Sequence, residues 1–176
     1  MKLPKKLQLA YDSHQLYRAG NPAGVRLNWA GKDLRNVDLS GAELGGASLA
    51  HANLSGAKLN KANLQEACLR GANLILANLK RADLERADLA MVDLSLANLW
   101  GVNLANATLW RANLANTTVI LADLSLASLR GANLSKANFR EANLAGSNLI
   151  KTNLSEAYLT NTRLTGAIMP DGSTHK

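Results

Sequence analysis

Ala52-Asn53-Leu54-Ser55-Gly56-Ala57-Lys58-Leu59-Asn60-Lys61-Ala62-Asn63-Leu64-Gln65-Glu66 is one five-residue unit written three times. Outward from it, in both directions, the phase does not slip. Of the 27 positions spaced five apart from Leu34 to Leu164, 25 are leucine, with Val119 and Phe139 the exceptions. The residue two before each centre is alanine in 19 of the 27, and the residue directly before it is Asn or Asp in 18. A fixed short period marks a solenoid, in which each unit buries its face only by stacking on its neighbours.

A period of five fits neither regular structure. Leucines five apart on an α-helix advance about 500° each and scatter around the axis. On a continuous strand they would fall on alternate faces. Within one unit, however, alanine and leucine are two apart and share a face. The conflict resolves if the chain turns a corner after every unit, with alanine and leucine inward and the other three residues outward. Asn or Asp before leucine suits such a corner, because its side chain bonds nearby backbone.

These units, of which Ala82-Asp83-Leu84-Glu85-Arg86 and Ala142-Asn143-Leu144-Ala145-Gly146 are further examples, resemble the pentapeptide-repeat protein family. The resemblance implies an all-β solenoid, a right-handed quadrilateral β-helix with four units per coil. Leu27-Asn28-Trp29-Ala30-Gly31 is a degenerate unit in phase, and Ala167-Ile168-Met169 another, cut off by Pro170. About seven coils are then expected, stacked at roughly 4.8 Å per layer into a rod roughly 34 Å long. The ending Gly166–Gly172 is similar to that of cyanobacterial members of the family.

The chain divides into an N-terminal segment (1–26), the repeat (27–169) and a tail (170–176). An open coil needs a cap. Pro4 suits a helix start and Gly20-Asn21-Pro22 a stop, so residues 4–19 are expected to form a capping α-helix with Leu3, Leu7, Ala10, His14 and Tyr17 on one face, a membrane-surface or partner helix being the alternative that Lys2, Lys5 and Lys6 offer. The C-terminal coil has only the tail to cover it. Leu149, Leu164 and Met169 are therefore the candidate surface for a homodimer joined end to end about a twofold axis, with capping by the tail alone as the alternative.

The net charge of +7 is partly an N-terminal feature. Residues 1–31 carry five basic and one acidic side chain, while residues 32–169 carry fourteen and eleven. No apolar run is long enough to span a membrane, and no secretory h-region follows the basic start. The single cysteine, Cys68, excludes an intrachain disulfide. A cytoplasmic protein is the expectation. His14, His51, His175 and Cys68 have no metal-ligand spacing, and there is no phosphate-binding or dinucleotide motif. No unit carries an inserted loop that could wall a pocket. No catalytic residue, cofactor or metal is expected, and the chain is read as a non-enzyme.

With twenty residues per coil, residues twenty apart stack. One edge then carries Lys58, Lys61, Lys80 and Arg81 below, with Trp100, Ile120 and Leu121 above them; Leu76 and Leu96 stack at the neighbouring corner. Trp100, Ile120, Leu121, Leu96, Leu76, Lys80 and Arg81 form the candidate docking patch for a protein partner, since a contiguous apolar group on a surface marks an interaction site. Arg130 above Trp110 is expected to stack on its ring as local packing. The chain is read as a rigid interaction rod for an unidentified protein. The alternative implied by the resemblance is a DNA-mimicking modulator of a type II topoisomerase such as gyrase. Mimicry needs a dominant negative surface, which the interspersed lysines and arginines oppose. Direct nucleic-acid binding is disfavoured by the few aromatics.

Overall fold

The computed structural model describes residues 5–176. One helix, α1 (Lys5–Arg18), precedes a ladder of parallel bridges, each joining residues twenty apart, from Asn28↔Ser48 to Asn148↔Ile168. Four five-residue units therefore complete one coil, and each coil stacks in register on the next. Asp93 stands on Asn73, and Asn113 on Asp93. The four sides are named here by a mid-height residue, in chain order the Thr108, Asn113, Asn98 and Asn103 faces.

The hydrogen bonds explain why a unit has five residues and why these residues suit it. Ala52 N–H closes a turn on Leu49 C=O (3.1 Å), and Asn53 N–H bonds Lys32 C=O in the preceding coil (2.9 Å). Leu54 and Gly56 N–H bond Asn73 and Ile75 C=O in the following coil (2.7 and 2.9 Å). The remaining donor, Ser55 N–H, is taken by the Asn53 side-chain oxygen (3.2 Å). All five donors of the unit are satisfied, as buried backbone requires. Asn or Asp therefore does not form the corner, as the sequence suggested. It sits mid-side as the bridging residue, and its side chain reaches forward to cap the first corner N–H.

The corner itself is made by the two residues after leucine. The second has positive φ at every corner from Gly31 (65°) to Gly166 (72°), whether it is Gly, Asn, Arg or Leu. With the bond from the next alanine back to leucine, this is the pattern of a type II turn. Inside, alanine and leucine alternate and are almost wholly buried from Leu39 to Leu149. Leucine fills the centre, and alanine lets adjacent sides approach.

Helix α1 covers the first coil. Its buried face is Leu7, Ala10, Tyr11 and His14, at i, i+3, i+4 and i+7. Tyr17, expected on that face, is 47% exposed, because Tyr11 takes the inner place and the Tyr17 ring stacks on His14 at 5.9 Å. Pro4 and Leu3 lie outside the described residues. The cap satisfies free donors of the first coil: His14 Nδ1 accepts Leu27 N–H (3.1 Å), and the Tyr11 hydroxyl accepts Glu43 N–H (3.1 Å). Beneath it Leu27 and Trp29 are each 1% exposed. Gly24 is obligatory at this junction, since a Cβ there would lie 1.9 Å from Tyr17 N.

At the other end the tail folds back. Ile168 bridges Thr174 antiparallel, and Gly166 and His175 N–H bond His175 and Ala167 C=O, each at 2.8 Å. Only the Thr108 face is covered this way. On the other three sides Leu154, Leu159 and Leu164 are half-buried, and their N–H groups have no partner among the described residues. Leu164 and Met169 therefore lie at the end as expected. Leu149 does not: it is 0% exposed, because the segment ending in Met169 lies over it, with Leu149 N–H bonded to Ile168 C=O.

Candidate interaction face

The residues singled out for docking come together on one side of the rod. The floor of the Asn98 face is a column of bridging residues, from Asp38 at the base through Lys58, Asn78, Asn98, Thr118 and Asn138 to Tyr158. Leu76 and Leu96 form a ridge along one corner, 63% and 54% exposed. Both sit at the positive-φ corner position, which throws the side chain outward. The other corner carries Lys80, Trp100 and Ile120 in one column and Arg81, Gly101 and Leu121 in the next.

Trp100 does not project as a free anchor. Lys80 Nζ lies 4.6 Å and Arg81 Cζ 4.9 Å from its ring centroid, so the indole lies down on two cations and is only partly exposed. Each contact favours the flattened ring electrostatically. Ile120 is likewise half-buried, while Leu121 is 48% exposed. The result is a flat polar floor between two apolar ridges, with Lys58, Lys61, Lys80 and Arg81 in its lower half above Asp38.

Sequence reasoning missed Tyr158, 60% exposed at the top of this column. The signal was available, since 158 is twenty residues beyond 138. Leu126 and Met91, 64% and 45% exposed, are also apolar residues at positive-φ corners, but they lie on other edges. The cation stacked on Trp110 is its chain neighbour Arg111, at 4.9 Å, and not Arg130.

The acids are largely engaged. On the Asn103 face the Asn63, Asn103 and Asn143 amides donate to Glu43, Asp83 and Asp123 one coil below, at 2.9, 3.0 and 3.1 Å. Arg70 holds Asp88 (2.9 Å), and Lys136 lies 3.7 Å from Glu156. Among the described residues, no group of three or more His, Cys, Asp and Glu is placed to hold a metal ion, and no helix is long and apolar enough to cross a membrane.

Curated proteins yield no match to the chain. Among solved structures it is similar to HetL, a pentapeptide repeat protein involved in heterocyst differentiation regulation in the cyanobacterium Nostoc sp. strain PCC 7120, with 30% identity over 92% of this chain and 97% of that one and a TM-score of 0.35. It is also similar to a pentapeptide repeat protein of the Arabidopsis thaliana thylakoid lumen, with 30% identity over 71% and 70% and a TM-score of 0.40. QnrB1, a plasmid-mediated fluoroquinolone resistance protein, aligns at 18% identity over 83% and 85%, with a TM-score of 0.42. The family model for pentapeptide repeats matches in 8 copies, over residues 27–56, 38–74, 62–101, 93–131 and 132–169. Together with the twenty-residue ladder, this match makes the chain a member of the pentapeptide-repeat family.

Proposed function

We propose that the chain is a non-enzymatic rod that docks a protein partner on its Asn98 face. The observation that carries this reading is the pair of apolar ridges, Leu76–Leu96 and Trp100–Ile120–Leu121, held at fixed separation across a flat floor. A rigid surface binds without the cost of ordering flexible loops. Lys58, Lys61, Lys80 and Arg81, which outnumber Asp38 in its lower half, favour an acidic rim on the partner. Capture by tagged chain from lysate tests this by comparison among variants. Leu96→Asp and Trp100→Asp should each lose the captured protein, while Lys32→Gln, away from this face, should keep it. Retention by both Asp variants would refute the reading.

A DNA-mimicking modulator of a type II topoisomerase such as gyrase is the second reading. It is weaker here because cations interrupt the acids: Arg18 pairs with Glu43, Arg70 with Asp88, and Arg86 lies beside Glu66 and Glu85.

We also propose a homodimer through the C-terminal coil. Three half-buried leucines, Leu154, Leu159 and Leu164, with unpaired N–H groups leave an edge that a second copy would cover. Light scattering at tens of micromolar should read a dimer, and Leu159→Lys should give a monomer. A monomeric native chain would mean that the tail cap suffices.

A further inference from the structure

The corner between the Thr108 and Asn113 faces lies diagonally opposite Trp100 and carries a different chemistry. Trp110, Arg111, Arg130, Gly131 and Lys151 line a notch of about 410 Å³. Arg111, Gly131 and Lys151 follow one another up a single column, so the glycine opens a gap between two cations, with Arg130 beside it and Trp110 below Arg130. None of the three cations has a carboxylate partner among the described residues. Over residues 107–116, 127–136 and 147–156, the adjoining sides hold one acid, Glu156, at the far corner beside Lys136; Asp171 follows Lys151 in the column above, where its carboxylate caps Ser173 N–H (2.9 Å) and forms no ion pair with Lys151.

A second feature is independent of the charges. At most corners Asn or Asp caps the first corner N–H. It does so one coil below the notch, where Asp88 takes Ala90 N–H (3.0 Å), and at its top, where Asn148 takes Ile150 N–H (3.0 Å). In the two coils between, Thr108 and Ser128 stand in that position. Trp110 and Arg130 N–H have no partner among the described residues. Two backbone donors without a partner among the described residues thus belong to residues that line the notch together with three cations outside any ion pair.

We propose that this notch binds a phosphate group. Free N–H donors beside guanidinium and ammonium groups recognise oxyanions. Three positive charges exceed what a single carboxylate neutralises, and they suit a dianion with three acceptor oxygens. Arg111, already stacked on Trp110, is held in place, while Arg130 and Lys151 flank the gap over Gly131.

The test is a titration of isotope-labelled chain followed through the Trp110 and Arg130 amide cross-peaks. The probes are inorganic phosphate, adenosine monophosphate and a phosphoserine peptide. Saturable shifts are expected with inorganic phosphate, weakened at least tenfold by Arg130→Gln with Lys151→Gln and unchanged by Lys61→Gln on another edge. The decisive variant is Thr108→Asn with Ser128→Asn. It keeps every cation, places the commonest residue of the repeat at both positions, and caps both free donors. It should also weaken binding at least tenfold. Tighter binding of the nucleotide would identify a nucleotide as the source of the phosphate, tighter binding of the peptide a phosphorylated protein, and no gain over inorganic phosphate the free ion. Shifts that grow linearly without saturating, or a Thr108→Asn/Ser128→Asn variant that binds like the native chain, would overturn the proposal and leave only diffuse counterion attraction.

Discussion

The Asn113 side chain donates to the Asp93 carboxylate one coil below at 3.1 Å, while its own oxygen accepts both Ala115 N–H (3.2 Å) and the Asn133 amide (3.2 Å). Asn153 continues the chain onto Asn133 at 3.4 Å. The column is a polarised line of amides that ends on a negative charge, and each oxygen in it also caps a corner. This is why the repeat tolerates Asn almost anywhere in the column but spaces its acids apart.

Asn113→Asp should therefore destabilise the fold by about 1–3 kcal/mol at pH 7. It stacks two carboxylates in adjacent coils and removes the donor that Asp93 accepts. The penalty should shrink as pH falls through the ordinary carboxylate range near 4, where one of the pair takes a proton. Urea midpoints of variant and native chain at pH 7 and pH 4 measure both effects.

Gly41 isolates the backbone cost of a corner, since its φ is 66° and a Cβ there would meet nothing within 4 Å. Gly41→Val should cost about 1–2 kcal/mol from the left-handed conformation alone. Gly41→Asn should cost clearly less, because Asn adopts this region readily. Equal losses in thermal or urea denaturation would mean that side-chain contacts set the preference, and not φ.

Ser147 replaces an inward alanine and is 0% exposed, and its hydroxyl has no partner. Thr117 and Thr152, at equivalent positions, bond Leu114 and Leu149 C=O at 2.6 and 2.8 Å. Ser147→Ala should therefore stabilise the rod by about 1 kcal/mol by removing an unsatisfied buried group. Thr117→Ala should gain nothing comparable.

His14 makes the N-terminal cap pH-dependent. Burial holds its pKa below the usual 6.5, with Arg18 adding to the effect and the Gly45 backbone opposing it. Protonation would also remove the Nδ1 acceptor used by Leu27 N–H. Because the folded pKa lies below the unfolded one, the unfolded chain binds the proton more readily. The stabilisation is present above pH 6.5 and is lost as pH falls through 6.5 towards the folded value. Amide exchange at Leu27 should accelerate, relative to Leu104 and after correction for intrinsic rate, between pH 7.5 and 5. His14→Gln should flatten that dependence.

The inward pair Ala–Leu, the corner after each unit and the capping helix were legible in the sequence, because a period of five admits few alternatives. The count of four units per coil came with the family resemblance, and the Asn28↔Ser48 ladder establishes it. What stayed hidden depends on side-chain direction. Periodicity does not say that Asn53 caps the next corner instead of forming it, nor that Trp100 lies flat on Lys80 and Arg81. Tyr11 and Tyr17 are both aromatic and close to the same helical stripe, so only the packing against the first coil decided which faces inward. Leu149 is twenty residues before Met169, so the segment ending in Met169 lies on it and takes it out of the end surface.

Docking on a face built by twenty-residue stacking is tested by mapping amide cross-peak changes in the isotope-labelled chain when the captured partner is added. The expected result is a set of perturbations recurring at intervals of twenty, at Asn78, Asn98, Thr118 and Asn138, flanked by Leu76, Leu96 and Leu121 and absent from Leu126 and Met91. Perturbations confined to the C-terminal coil, or spread over all four sides without that interval, would contradict it.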